Sequence, residues 1–336
     1  MSQISIILPT YNVEKYIARA LESCINQTFK DIEIIVVDDC GNDKSIDIAK
    51  EYASKDDRIK IIHNEENLKL LRARYEGAKV ATSPYIMFLD SDDYWELNCI
   101  EECVPRMDGV DVVWFDSIEY HDIEKSYFKH HSRLKDINIK KECRINPIEW
   151  LKLLRQNKIK DFAFAWSGII DFDYIKDKKM KFKDAIFAED HLFGILLFSQ
   201  AKNIYVYPKV FYYYRIRANS LTNQDKKITK DNILPYFKDI FIAFEENATL
   251  AKEYFKYVSW VETSLELVRF VENYHDKKIS SLLKDTILYF YIKNAFKIKK
   301  FDKDPLCIKE KLQLLKPYKI SKIRYKVMKF LISLRN

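Results

Sequence analysis

Tyr85-Ile86-Met87-Phe88-Leu89-Asp90-Ser91-Asp92-Asp93-Tyr94-Trp95 opens as an apolar run, Tyr85 to Leu89, and ends abruptly in three carboxylates, Asp90, Asp92 and Asp93. A run of this length fits a strand buried in a parallel sheet. Acids at the carboxyl end of such a strand lie where open α/β sheets bind ligands. Asp90 and Asp92 form an Asp-x-Asp pair whose hard oxygens suit Mg²⁺ or Mn²⁺. A cation held there can neutralise a diphosphate leaving group. Taken alone, so short a motif is more often a solvated acidic turn, and its neighbours must decide.

The neighbours alternate. Strands are expected at Ile4 to Leu8, Glu33 to Val37, Ile59 to Ile62, Tyr85 to Leu89 and Val110 to Phe115. Helices are expected at Val13 to Cys24, Ser45 to Tyr52 and Leu70 to Val80. This alternation implies βαβ crossovers and a mainly parallel sheet. Three strands end in polar clusters: Thr10-Tyr11-Asn12, Asp38-Asp39 and Asp90-Ser91-Asp92. In a parallel sheet these meet at one edge. Further on, helices are read at Pro147 to Leu154 and Glu189 to Phe198, with strands at Ile204 to Tyr207 and Phe211 to Arg217. After about residue 225 the pattern is helical: Ile233 to Glu245, Leu250 to Asn273, Ile279 to Phe296 and a basic stretch from Ile308 to Leu334.

The chain has 336 residues, enough for a sizeable core in one or two domains. Only five residues are glycine, and no GxGxxG or GxxxxGK[ST] loop is present, so a nucleotide must be held by other means. Cys99 and Cys103, the one close pair of the six cysteines, lack a zinc spacing. With no secretory signal and no apolar span of ~18 residues, a cytoplasmic location with reduced thiols is expected. Lys277 to Asn336 holds 17 Lys and Arg against four Asp and Glu, while the whole chain is only +7. A basic tail on an acidic body points to an anionic partner. Nucleic acid is disfavoured, because the ligand edge is acidic and the positive charge is confined to one end.

The order of the pieces resembles the family 2 inverting glycosyltransferases of the GT-A fold. The matching residues are Pro9-Thr10-Tyr11-Asn12, Val36-Val37-Asp38-Asp39 with Asp43, Asn67 to Gly77, Asp90-Ser91-Asp92-Asp93, Glu189-Asp190 and Tyr213-Tyr214-Arg215. The likeness is strong over 1–105, patchy to about 220 and weak beyond. Residues 1–105 look especially similar to bacterial lipooligosaccharide β-1,3-galactosyltransferases of the Campylobacter type. The implied layout is a GT-A domain over 1–220 and a helical, basic region over 221–336. Within the GT-A domain, 1–105 is the nucleotide-sugar half and 106–220 the acceptor and catalytic half.

The resemblance also implies roles. Asp39 would accept from uracil N3–H, with Asp38 capping nearby amides. Pro9, Thr10 and Tyr11 would border the base, an aromatic face stacking on it for ~1–3 kcal/mol. Arg74 would contact the diphosphate or orient Asp90. Lys69 stands where the family usually has glycine, and Tyr75 where it has asparagine. Asp92 would hold Mn²⁺ or Mg²⁺. Asp90 would lie near the ribose or the metal, beside Ser91, and Asp93 would cap the turn or touch the sugar. His191 is an additional candidate metal ligand. Asp190 is the candidate general base, with Glu189 fixing the loop or the acceptor. Arg215 and Arg217, two apart on one strand, share a face that would close over the donor phosphates. Trp166 reads as core or as an acceptor platform.

The expected reaction is transfer of a hexose, galactose first, from a UDP-sugar to a saccharide or lipid-linked saccharide in lipooligosaccharide or another surface glycan. The alternative donor is a UDP-hexosamine such as UDP-GalNAc, for a capsule or glycoprotein glycan. Basic and apolar residues on opposite faces of a helix over Lys319 to Leu331 would suit contact with the inner face of the cytoplasmic membrane. Other classes are a nucleotidyltransferase, which would need a glycine-rich loop near Pro9, and a non-catalytic membrane-associated binding protein.

Overall fold

The structure, a computed structural model, describes residues 2–121, 126–127, 133–178, 189–216 and 237–319. Its described residues form two compact units, one ending at 216 and the other starting at 237.

The first unit is an α/β sheet. β1 (Ile4–Thr10), α1 (Ile17–Ile25), β2 (Ile32–Asp38), α2 (Ser45–Ala53), β3 (Ile59–His63), α3 (Leu70–Val80) and β4 (Tyr85–Phe88) follow one another in strict alternation. β3, β2, β1 and β4 lie side by side and all parallel. β1 is buried along its whole length, as an apolar strand covered on both faces must be. Ile4, Ile6 and Leu8 share a core with Ile17, Ala20 and Leu21 of α1 and Ala49 of α2. Full burial stabilises each large aliphatic side chain by about 1.5–3 kcal/mol. The opposite face carries α3, where a Cβ on Gly77 would stand 2.5 Å from Ile7 Cγ2 and 2.9 Å from Val37 Cγ2. Only glycine allows the helix to lie this close to the sheet.

Beyond β4 the sheet becomes mixed. β5 (Tyr94–Trp95) is followed by α4 (Cys99–Cys103), β6 (Val112–His121), β7 (Ser126–Tyr127), α5 (Arg133–Asp136), β8 (Cys143–Ile145), α6 (Pro147–Gln156), β9 (Gly168–Asp171), α7 (Phe172–Asp177), α8 (Glu189–Gln200) and β10 (Ile204–Ile216). The strand order is β3-β2-β1-β4-β9-β6-β10-β5, with β9 antiparallel to both its neighbours and β6 parallel to β10. α6 starts at a capping box: Asn146 Oδ1 accepts from Glu149 N at 3.0 Å, and Glu149 Oε2 from Asn146 N at 2.9 Å.

Two strand expectations change, and one strand is new. The fifth strand runs past Phe115 to His121, because its polar second half is paired along β10. The two strands expected around Pro208 are one, β10, with register shifts between Tyr207 and Tyr212. Proline lacks the amide that an unbroken ladder needs, so the strand bulges there. β9, only four residues long, carries no pattern that sets it apart from a loop.

The second unit is helical: α9 (Lys238–Ala243), α10 (Ala248–Asn273), α11 (Lys277–Leu283), α12 (Tyr289–Ala295) and α13 (Ile308–Leu315). The single helix expected over Ile279 to Phe296 is α11 and α12 joined by one π-helical turn, Lys284–Leu288. Tyr254 OH donates to Asp304 Oδ1 at 2.6 Å, tying α10 to the loop before α13. Residues 320–336 of the basic tail lie outside the described residues. No described helix is long and apolar enough to cross a membrane.

Candidate active site

The carboxyl edge of the parallel strands is fastened by buried hydroxyls. Ser91 Oγ donates to Pro9 O at 2.7 Å and lies 3.0 Å from Thr10 Oγ1, which itself donates to Leu8 O. Ser91 and Thr10 therefore join the ends of β4 and β1, with their side chains turned into the protein.

Asp90 leaves this edge and meets Arg74. Arg74, 1% exposed, donates from Nη2 to Asp90 Oδ1 at 2.5 Å. The guanidinium also feels the carboxylates of Glu189 and Asp190. Arg74 Nε and Nη1 are buried without hydrogen-bond partners. Burial, and then Asp190, push the Glu189 carboxyl up to about 7, while Arg74 opposes the rise. Asp190 Oδ1 accepts from His191 N at 3.1 Å, and Asp190 O accepts from Phe164 N. Asp90, Arg74, Glu189 and Asp190, spread over more than a hundred residues of sequence, thus form one charge cluster.

Asp93 is the structural acid of the turn. It is 1% exposed; its Oδ2 accepts from Tyr212 OH at 2.5 Å and its Oδ1 from Arg215 N at 2.7 Å. Arg215 Nε donates to Asp92 O at 2.7 Å, and its guanidinium lies 5.0–5.8 Å from the ring centres of Tyr16, Tyr94 and Tyr120. Arg215, expected to face donor phosphates, is buried and fastens the Asp90–Asp93 turn. Arg217, its expected partner, lies outside the described residues. Alternation along β10 places Tyr213 against Tyr94, stacked at 4.5 Å, and Tyr212 against Trp166 at 4.6 Å. Trp166 is half-buried between Tyr212 and Tyr214.

On the nucleotide side, Asp39 rather than Asp38 organises most of the loop. Asp39 Oδ1 accepts from Asn64 Nδ2 and Leu68 N, both at 2.8 Å, and Oδ2 from Lys69 N at 3.0 Å. Asp38 accepts from Cys40 N and meets His63 Nδ1 at 2.8 Å. A carboxylate has about four acceptor positions, so Asp39 Oδ2 retains one. Burial raises the Asp39 pKa above its ordinary value, against the pull of the three donors. Burial also raises the hydroxyl pKa of half-buried Tyr11, and nearby Asp39 adds to the rise.

Asp90 and Asp92 fit a hard divalent cation: both are carboxylates of one turn, and Arg74 engages only Oδ1 of Asp90. Among the described residues no three His, Cys, Asp or Glu side chains are grouped to hold a metal. His191 therefore does not complete a three-residue set with the two aspartates. Two carboxylates supplemented by substrate phosphates are the usual provision for Mg²⁺.

Sequence reasoning assigned no role to Tyr94 or Glu96. Tyr212 directly precedes the Tyr213-Tyr214-Arg215 segment, and period-two alternation separates its face from that of Tyr213. The partners of both residues come from the Asp93–Glu96 segment, more than a hundred residues away, with Tyr213 OH donating to Glu96 Oε1.

The profile of glycosyl transferase family 2 matches residues 5–170. The uncharacterized glycosyltransferase EpsJ of Bacillus subtilis (strain 168) is 31% identical over 251 residues, 74% of this chain and 71% of EpsJ. Among solved structures, S. aureus TarS in complex with UDP-GlcNAc superposes with a TM-score of 0.55 at 21% identity, covering 87% of this chain and 81% of that one. The mannosyltransferase PcManGT from Pyrobaculum calidifontis, in complex with GDP-Man and Mn²⁺, gives 0.52 at 13% identity, covering 98% and 85%. The aligned length and identity to EpsJ, with the profile match over the strands that build the acidic edge, establish that this chain belongs to glycosyltransferase family 2.

Proposed function

We propose that the protein is an inverting, metal-dependent transferase that moves a hexose, galactose first, from a UDP-sugar to a saccharide acceptor of a surface glycan such as lipooligosaccharide. The observation that carries this reading is the cluster of Asp90, Arg74, Glu189 and Asp190 at the carboxyl edge, beside the Asp39 loop. The two structural neighbours hold a UDP-sugar and a GDP-sugar, so the fold does not choose the base. Here Asp39 Oδ2 and the adjacent Tyr11 would read uracil.

Mg²⁺ or Mn²⁺ held by Asp90 and Asp92 would supply counter-charge to the diphosphate. Arg74 holds Asp90 in place, and Asp93, Tyr212 and Arg215 hold the turn that presents Asp92. Asp190 takes the proton of the acceptor hydroxyl as that oxygen bonds to the anomeric carbon and the bond to UDP breaks. Attack from the face opposite UDP inverts the anomeric centre, and no enzyme nucleophile is needed.

A UDP-hexosamine donor is the second reading, favoured by the UDP-GlcNAc bound to TarS. The acceptor would be presented at the inner face of the cytoplasmic membrane, which the basic C-terminal stretch is composed to approach. A screen of UDP-Gal, UDP-Glc, UDP-GalNAc and UDP-GlcNAc by UDP release, with and without Mn²⁺, tests the proposal. Release from UDP-Gal that requires Mn²⁺ is the expected result; no release from any UDP-sugar overturns it.

A further inference from the structure

The second unit carries a groove of about 430 Å³ lined by Val271, Glu272, Lys277, Ser280, Ser281 and Lys284. The first two belong to the end of α10. The other four stand at i, i+3, i+4 and i+7, which is one face of a helix. Lys277, Ser281 and Lys284 are exposed. Lys277 Nζ makes a long contact of 3.3 Å to Tyr274 O, and neither lysine is paired with a carboxylate among the described residues. Elsewhere in the same unit Lys300, Lys303 and Lys311 each hold a glutamate.

Ser280 is the second observation. It is 3% exposed, and its hydroxyl is buried with no hydrogen-bond partner. A helical serine usually returns its hydroxyl to the carbonyl one turn back, as Ser264 does to Trp260 O at 2.6 Å. Ser280 does not, and it lines the groove together with Lys277 and Lys284. A buried polar group without a partner is destabilising by about 1–3 kcal/mol, a cost that a ligand oxygen in the groove would offset. The π turn that begins at Lys284 is of a kind frequent at functional sites.

The lining defines the ligand. Two ammonium groups and two hydroxyls donate to phosphate oxygens. Glu272, the one carboxylate in the lining, repels a bare dianion but accepts from a hydroxyl. Val271 offers an apolar contact. We infer that this groove binds a phosphate ester of a polyol, with the phosphate on Lys277, Ser280 and Lys284 and a hydroxyl on Glu272. The inference is independent of the donor and acceptor proposed above.

Calorimetric titration of the full-length protein with glycerol 3-phosphate and with inorganic phosphate tests it. Vesicles of phosphatidylcholine with and without phosphatidylglycerol form a separate arm. Glycerol 3-phosphate should bind with a dissociation constant of about 1 mM or tighter and ahead of inorganic phosphate. Glu272→Gln should narrow that preference. The pair Lys277→Gln/Lys284→Gln should lose at least about tenfold in affinity, while the control pair Lys293→Gln/Lys297→Gln should not. Ser280→Ala should bind several-fold more weakly with an unchanged or higher Tm, a combination that a merely structural serine would not give. Saturation by glycerol 3-phosphate without vesicle binding identifies a soluble ester. Phosphatidylglycerol-dependent vesicle binding that the Lys277/Lys284 pair abolishes identifies a lipid headgroup. Binding in neither arm, or an equal loss in the control pair, overturns the inference.

Discussion

Asp39 Oδ2 accepts the backbone amide of Lys69 at 3.0 Å, and Lys69 stands at φ 70° and ψ 163°. That backbone region is essentially reserved for glycine and strains any other residue by about 1–3 kcal/mol. The carboxylate expected to read the nucleotide therefore also holds the strained residue that opens α3. Lys69→Gly should relieve the strain and, after the entropy glycine adds to the unfolded chain, raise stability by about 1 kcal/mol, or ~2–4 °C in Tm. Lys69→Ala should give no gain. Scanning calorimetry of the two variants separates backbone strain from loss of the lysine side chain.

Asp39→Ala removes both functions. UDP affinity should fall by roughly 1–3 kcal/mol, the cost of leaving a base donor unpaired, and the amides of Leu68 and Lys69 lose their acceptor. Titration calorimetry of the native protein with UDP and CDP provides the sharper check. Uracil offers an N3–H donor and cytosine does not, so equal affinities would remove uracil readout from the proposal.

Asp92→Ala should leave a folded protein, because the turn is held through Asp93 and through the backbone carbonyl of residue 92. Metal-dependent turnover should be lost, since the leaving diphosphate loses its counter-charge. Turnover of the native protein that persists unchanged in EDTA would refute the metal assignment.

Glu33 makes acid stability predictable. Its carboxylate, 4% exposed, meets Lys60 Nζ at 2.7 Å, Ser5 Oγ at 2.5 Å and Thr82 N at 2.7 Å. Burial opposes ionisation, but these donors together outweigh it and hold the pKa at about 2. Because the folded value lies below the ordinary glutamate value of ~4.3, the stabilisation is complete above that pH and is lost as pH falls toward 2. The linked contribution is about 3 kcal/mol. Denaturant titrations at pH 6 and pH 3 should show Glu33→Gln destabilised at pH 6 and the gap to the native protein narrowing at pH 3.

The parallel half was legible because β1, β2 and β4 are mostly apolar, with Ser5 and Glu33 the exceptions, and end in polar residues, so that alternation places Asp39 and Asp90 on one edge. Helix α3 began and ended where its pattern does, at Leu70 and Val80. What the sequence withheld is long-range pairing of polar groups. Arg215 reads as an outward-facing arginine until Asp93 and three tyrosine rings surround it. Asp38 and Asp39 differed on paper only through the family resemblance, and the approach of Asn64, Leu68 and Lys69 to Asp39 is what the residues alone do not announce. β9 was invisible because its short Gly168–Asp171 run is specified by the gap between β4 and β6 and not by its own pattern.

The choice of base rests on Glu189 and Asp190, which begin α8 beside Arg74. Asp190→Asn keeps the shape but cannot accept a proton, so turnover should fall by a factor of about 10²–10⁴ while UDP-sugar affinity changes little. The loss should appear in kcat, because the base acts on the acceptor hydroxyl only as transfer proceeds. Glu189→Gln should do less damage, since Glu189 serves Arg74 and the charge balance of the cluster. Single-turnover transfer and donor binding, measured on both variants, decide the matter. The reverse ranking moves the base to Glu189, whose pKa of about 7 suits proton transfer at neutral pH. Mild effects in both place the base on another element of the first unit.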